Sequence, residues 1–99
     1  MIRHIVIIKL KHAAGSQEEH DFLQAARKLA DIPVVKNFEC HRQISKETSY
    51  DLGLSMEFAS SEDHQVYVDH PLHVQFVQTH WHPAVTDFME IDLEPYNEA

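Results

Sequence analysis

The sequence is poor in cysteine, glycine and positive charge, and each shortage excludes a class of protein. Cys40 is the only cysteine, so no intramolecular disulfide can form, and we expect a reducing, cytoplasmic location. With two glycines the chain has no phosphate-binding loop, which predicts no organic cofactor. Lys and Arg number 8 against 16 Asp and Glu, a formal charge of −8. Because such a surface repels phosphates, we predict no nucleic-acid partner.

Long hydrophobic runs are also absent. No segment approaches the roughly 20 apolar residues of a membrane span, so we predict no membrane partner. Residues 1–12 are apolar, but Lys9 and Lys11 interrupt them and no small-residue cleavage site follows. This pattern predicts a strand rather than a signal peptide. The 99 residues suit a single domain, residues 1–99, and the 43% apolar content excludes a disordered chain.

The opening strand is apolar on both faces. His4, Val6 and Ile8 share one parity, and Ile5 and Ile7 share the other. Since side chains alternate across a strand, this pattern predicts a central strand that is covered on both sides.

The remaining patterns predict a β-α-β-β-α-β order. Ser16 is a natural helix N-cap, and Glu19 completes a capping box. The helix that Ser16 caps is predicted over 15–33, and two strands follow over 34–44 and 50–60. A second helix begins at 60, is interrupted by Pro71 and continues to 81, and the last strand is predicted over 83–95. The predicted class is therefore α+β, a ferredoxin-like subunit with one antiparallel sheet and both helices on one face.

The uncovered face of this sheet predicts self-association. Both helices cover the same face, so Ile5 and Ile7 on the other face need separate cover. A second copy of the sheet is the simplest cover, and we predict a homodimer with Ile5 and Ile7 at its interface. The alternative is a monomer with a few exposed apolar side chains.

Four of the nine histidines lie within residues 66–83, which raises the question of a metal site. Pro71 separates His70 from His73, and residues at i and i+2 of a helix, such as His80 and His82, point apart. The chain has no HExxH or CxxC motif. We therefore predict no metal site, and we expect His80 and His82 to face solvent.

Acid–base chemistry is the other use of these imidazoles. His73 lies beside the apolar residues Val74 and Phe76, so we predict that it is mostly buried. On a straight helix Tyr67 and His73 would lie about 120° apart, but the break at Pro71 changes that angle. A Tyr hydroxyl and a His in an apolar pocket form a usable acid–base pair. A purely structural hydrogen bond that closes the helix break stays an alternative.

Three motifs resemble one known family. They are His4-Ile5-Val6 in the opening strand, the Y-x-x-H-P-x-H run from Tyr67 to His73, and Asp92-Leu93 in the closing strand. Together they resemble the stress-responsive dimeric α/β-barrel (Dabb) domain over nearly the whole chain. The resemblance implies a ferredoxin-like subunit that pairs into a dimeric α/β barrel, with a cleft between sheet and helices.

The resemblance also implies site residues. A plant polyketide cyclase of the family uses a His and a Tyr of the second-helix motif, which by position are His73 and Tyr67. Leu52 stands where that cyclase has a further histidine, so we expect the substrate to differ. The implied ligand pocket contains His4, Val6, Ile8, Phe22, His70 and Phe76.

Three functions follow as expectations. The first is a dimeric binding domain that holds a small apolar or carbonyl-bearing ligand. The second is a cofactor-independent enzyme of the cyclase or lyase type, in which His73 is the general base and Tyr67 its partner. The third is an oxygenase-like member of the wider dimeric α/β-barrel group.

Overall fold

The computed structural model describes residues 1–96, so the last three positions of the predicted domain 1–99 lie outside the described residues. The elements are β1 (Ile2–Leu10), α1 (Gln17–Arg27), a 3₁₀ turn (Lys28–Asp31), β2 (Lys36–Arg42), β3 (Leu52–Phe58), α2 (Ser61–Asp69), α3 (Pro71–Phe76), a π-helical turn (Val77–Trp81), α4 (His82–Ala84) and β4 (Val85–Leu93). The predicted α+β class and the ferredoxin-like order are confirmed.

One antiparallel sheet carries the strands in the order β2-β3-β1-β4. β1 is central, as predicted, and pairs with β3 on one side and β4 on the other. In β3 the buried side chains are Leu52, Leu54, Met56 and Phe58, which alternate with residues of the opposite face. The helices pack on that buried face, so the core lies between one layer of helices and the sheet.

The first helix begins as predicted but ends earlier. The Ser16 side chain accepts a hydrogen bond from the Glu19 amide at 3.2 Å, which confirms the N-cap. α1 ends at Arg27 rather than near Pro33, and a 3₁₀ turn follows. Ile32 is extended because a following proline disfavours the helical conformation.

Glu19 differs from the predicted capping box. Its carboxylate accepts from the Gly15 amide at 3.0 Å, one residue before the N-cap, rather than from Ser16. The reason is a stronger partner: the Arg42 guanidinium of β2 also donates to this buried carboxylate, at 2.9 Å through Nη1. That contact lowers the pKa of Glu19, against the effect of burial. The ion pair ties α1 to the edge of the sheet.

The second, third and fourth strands are each two residues shorter at both ends than the predicted 34–44, 50–60 and 83–95. β2 begins at Lys36 instead of residue 34, because the Val35 amide donates to the Ile32 carbonyl and closes a turn there. Asn37 has a φ of 52°, and the pairing with β3 shifts register at this point. β4 begins at Val85 because Pro83 lies in the preceding helical turn.

The two faces of the sheet differ in cover. Ile8 is fully buried and Phe22 nearly so in the core beneath the helices. Ile5 and Ile7 are partly exposed on the opposite face. Within residues 1–96, no helix is both long and apolar enough to cross a membrane.

Candidate functional site

The break at Pro71 rearranges the backbone hydrogen bonds around it. α2 ends at Asp69, His70 is extended, and Pro71 occupies the first position of α3. The Leu72 amide donates to the His70 side chain at Nδ1, 3.1 Å away, instead of to the Val68 carbonyl four residues earlier. The Val68 carbonyl is therefore free to accept a hydrogen bond from another group.

His73 uses that free carbonyl. Its Nδ1 lies 2.9 Å from the Val68 oxygen. A carbonyl oxygen can only accept, so Nδ1 carries the proton and Nε2 of the neutral ring keeps its lone pair. Burial lowers the pKa of His73, and so do the charges of His4 and His64, against the opposing effects of the Val68 carbonyl and Glu90. The geometry thus holds a neutral imidazole with a basic nitrogen available.

Tyr67 lies against this imidazole. Its ring centroid is 4.5 Å from that of His73, so the helix break brings together two side chains that a straight helix would separate. Tyr67 is buried, and burial together with the Glu90 carboxylate raises the pKa of its phenol. The hydroxyl therefore stays protonated and can donate a hydrogen bond.

His4 lies beside Tyr67 on the central strand. Its ring centroid is 6.1 Å from that of Tyr67, and its exposed fraction is 3%. Nδ1 lies 2.6 Å from Oδ1 of Asp92, and Nε2 lies 3.5 Å from Oε1 of Glu90. Both carboxylates are on β4, which pairs with β1 so that Asp92 lies opposite His4 and Glu90 opposite Val6.

These side chains border a cavity of about 210 Å³ between the sheet and the helices. Most of its wall is apolar, and its polar groups come from β1, α2, α3 and β4. The lining residues are His4, Val6, Leu29, Leu54, Met56, Tyr67, His73, Phe76, Val77, Trp81, Phe88 and Glu90.

The predicted site residues fall into two groups. Five lie on the cavity wall: His4, Val6, Tyr67, His73 and Phe76. The other three lie elsewhere: Ile8 and Phe22 are core residues, and His70 caps α3.

Sequence reasoning missed Glu90 and Phe88 of β4. Both lie on the cavity wall, on the strand parity opposite Met89 and Ile91. The alternation of Met89, Ile91 and Leu93 predicts one apolar face for this strand and gives no indication of the opposite face. The acidic residues at every second position, 90 and 92, were the signal available in the sequence.

The exposure of the histidines corrects one prediction. His80 and His82 are exposed, as expected. His73 is half-buried rather than mostly buried. The reason is that Val74, one of the two apolar neighbours on which that prediction depends, is 41% exposed, so α3 is buried mainly around Phe76 and His73 lies at the edge of that contact.

Comparison with known proteins identifies the family. The profile of the Stress Responsive A/B Barrel Domain (Dabb) matches residues 2–95. The chain belongs to this family. A Dabb family protein of Mesorhizobium loti with a ferredoxin-like fold is 47% identical, with 97% of each chain covered and a TM-score of 0.93. Among proteins with curated descriptions, the comparison found no match.

Two more distant structures share the fold. A hydroxynitrile lyase of Passiflora edulis is 17% identical, with 99% of this chain and 94% of that chain covered and a TM-score of 0.81. A dimeric protein of unknown function from Bacteroides fragilis is 21% identical, with 94% of each chain covered and a TM-score of 0.73. At these identities the likeness to this Dabb chain establishes the fold alone.

We predict that His73 titrates below the ordinary histidine value of about 6.5. Since its pKa is lower in the folded than in the unfolded state, protonation favours unfolding. The contribution of His73 to stability is therefore complete above about pH 6.5 and is lost as the pH falls through the folded pKa. NMR titration of the imidazole C–H resonances measures the midpoint. The His73→Asn variant assigns the signal, and a midpoint at or above 6.5 would contradict the prediction.

Proposed function

We propose that this Dabb chain is the subunit of a homodimer and binds a small apolar or carbonyl-bearing ligand in the cavity between sheet and helices. The observation that carries the proposal is the composition of the cavity wall. Apolar side chains such as Leu54, Met56 and Phe76 form one part of it, and polar groups converge on the other. Ligand sites in proteins combine these two features.

The polar groups favour a ligand with an acceptor oxygen. The phenol of Tyr67 stays protonated and can donate a hydrogen bond to a carbonyl. Nε2 of His73 can accept a hydrogen bond from an O–H or an acidic C–H group. Glu90 opposes an anionic ligand. A neutral molecule with one carbonyl and an apolar body satisfies all three groups.

We predict that filling the cavity weakens binding. Val6 lies on its wall and is 7% exposed, so Val6→Phe places a ring in the ligand volume and should weaken binding by more than about tenfold. Binding of a panel of neutral aromatic aldehydes and ketones is measured through NMR shifts of Tyr67 and His73.

The matched control is Val66→Phe, because Val66 is 51% exposed on α2 and does not line the cavity. It should bind like the unmodified chain, and circular dichroism should show that both variants are folded. The proposal is wrong if no panel member binds, or if Val6→Phe binds as tightly as the unmodified chain.

The outer face of the sheet supports the homodimer. Ile5 pairs with Ile91 and Ile7 with Met89, and all four side chains face away from the helices. Leu93, on the same face, is 51% exposed. An apolar stripe across the two adjacent strands suits a second copy of the same sheet. The Bacteroides fragilis protein of this fold is described as dimeric.

We predict that the double substitution Ile5→Asp with Ile7→Asp converts the dimer to monomer or aggregate. Burying one isoleucine contributes roughly 1.5–3 kcal/mol, and two buried carboxylates would add a desolvation cost. Light scattering measures the mass. The control is Val66→Asp with Val68→Asp on exposed positions of α2, which should leave the mass unchanged. A folded dimer from the Ile5/Ile7 variant would refute this interface.

A second candidate function is acid–base catalysis without a cofactor, because one specific contact favours it. The bond from His73 Nδ1 to the Val68 carbonyl fixes the tautomer that a general base needs. In this reaction Nε2 of His73 accepts a proton from the carbon next to a carbonyl, and the C–H electron pair passes into an enolate. The Tyr67 hydroxyl donates to the enolate oxygen. A hydroxynitrile lyase shares this fold. The oxygenase-like alternative stays a prediction.

We predict that this base accelerates hydrogen exchange next to the carbonyl of a bound ketone in deuterated water. His73→Gln should slow the exchange by about 10²–10⁴-fold, the usual contribution of a general base. NMR loss of the α-proton signal measures the rate. His80→Gln, a matched change at an exposed histidine, should have no effect. Binding without any exchange would leave the binding function and remove the catalytic one.

A further inference from the structure

A second cluster of ligating side chains lies next to the cavity. His4 of β1, His64 of α2 and Asp92 of β4 each place one ligating atom within 4.8 Å of the others. The cavity wall includes His4 but neither His64 nor Asp92. We infer that these three residues bind a divalent transition-metal ion of the zinc type. The inference goes beyond the proposed ligand binding and does not depend on it.

The donor set suits such an ion. Zinc binds histidine nitrogens and carboxylate oxygens at about 2.0–2.2 Å, which places tetrahedral ligand atoms about 3.4 Å apart. Two imidazoles and one carboxylate match a ligand set common for zinc and iron. The ligating atoms lie up to 4.8 Å apart, so the widest separation has to contract by as much as about 1.4 Å. Asp92 can supply that movement, because its side chain is 43% exposed on an edge strand.

The two imidazoles are already oriented by their neighbours. Their ring centroids are 5.0 Å apart. His64 stacks on the Phe58 ring at 5.0 Å with an interplanar angle of 25°, and His4 is almost fully buried. Little side-chain entropy is then lost when a metal binds.

The surrounding charge also favours a cation. Asp92 lies 2.6 Å from Nδ1 of His4, and Glu90 lies 3.5 Å from Nε2. We assign Nδ1 of His4 and the carboxylate of Asp92 to the metal, which displaces the proton they share. Nε2–H of His4 then donates to Glu90. Metal-binding histidines commonly donate their second ring N–H to a carboxylate in this manner.

This assignment departs from the sequence-based prediction of no metal. That prediction weighed the histidines of residues 66–83, whereas the present set comes from three elements that are distant in sequence. No spacing motif could reveal it. Of the earlier candidates, His70 caps α3 and His73 binds the Val68 carbonyl, so both have structural bonds instead.

The test is a calorimetric titration of the full chain, free of any polyhistidine tag, with Zn²⁺. Co²⁺ serves as a spectroscopic probe, since its visible absorption reports the coordination. We expect one ion per chain and at least a tenfold weaker affinity for His64→Gln. His80→Gln should bind like the unmodified chain, because His80 is exposed and outside the cluster.

Asp92→Asn is the second variant, since Asp92 is exposed and its replacement keeps the shape of the side chain. It should weaken binding to a similar degree, and circular dichroism checks the fold of each variant. Absence of Zn²⁺ binding would overturn the proposal. So would binding that both His64→Gln and Asp92→Asn leave unchanged, or a loss as large in His80→Gln.

Discussion

The missing amide proton of Pro71 is the constraint on which the candidate site depends. The residue cannot donate to the Tyr67 carbonyl, which instead accepts from His70. Leu72 then donates to the His70 side chain, and the Val68 carbonyl is left for His73. One absent donor thus ends a helix, aligns an imidazole and brings it within 4.5 Å of the Tyr67 ring.

The two faces of the closing strand, β4, differ in polarity. This difference relates the cavity to the homodimer that we propose. Its acids, Glu90 and Asp92, point with Phe88 to the same side as the core residues of β1, and Met89, Ile91 and Leu93 point away from the helices. A strand that served only its own subunit would bury its apolar side chains in its own core. The arrangement therefore gives β4 two partners: the cavity on one face, and on the other the second sheet that we propose.

The sequence could predict the order of the elements, since alternation in β3, the cap at Ser16 and the break at Pro71 are local signals. It could also predict the meeting of His4, Tyr67 and His73 through the family motif. The other features of the site depend on contacts between residues that are far apart in the sequence. Whether Ile8 and Phe22 line a cavity or fill the core follows from packing across layers, and the approach of Asp92 to His4 follows from the β1–β4 register. Local sequence patterns indicate neither the packing across layers nor the β1–β4 register.

His4 would couple the ligand site and the metal site that we propose. It forms part of the cavity wall with one side of its ring and faces Asp92 with the other. Burial lowers the pKa of His73, and the charges of His4 and His64 lower it further. A metal ion on these two imidazoles would add positive charge near His73 and disfavour its protonation further. The base would then stay neutral over a wider pH range, but it would accept a proton less readily. A cation at His4 would therefore change the basicity of His73 without occupying the cavity.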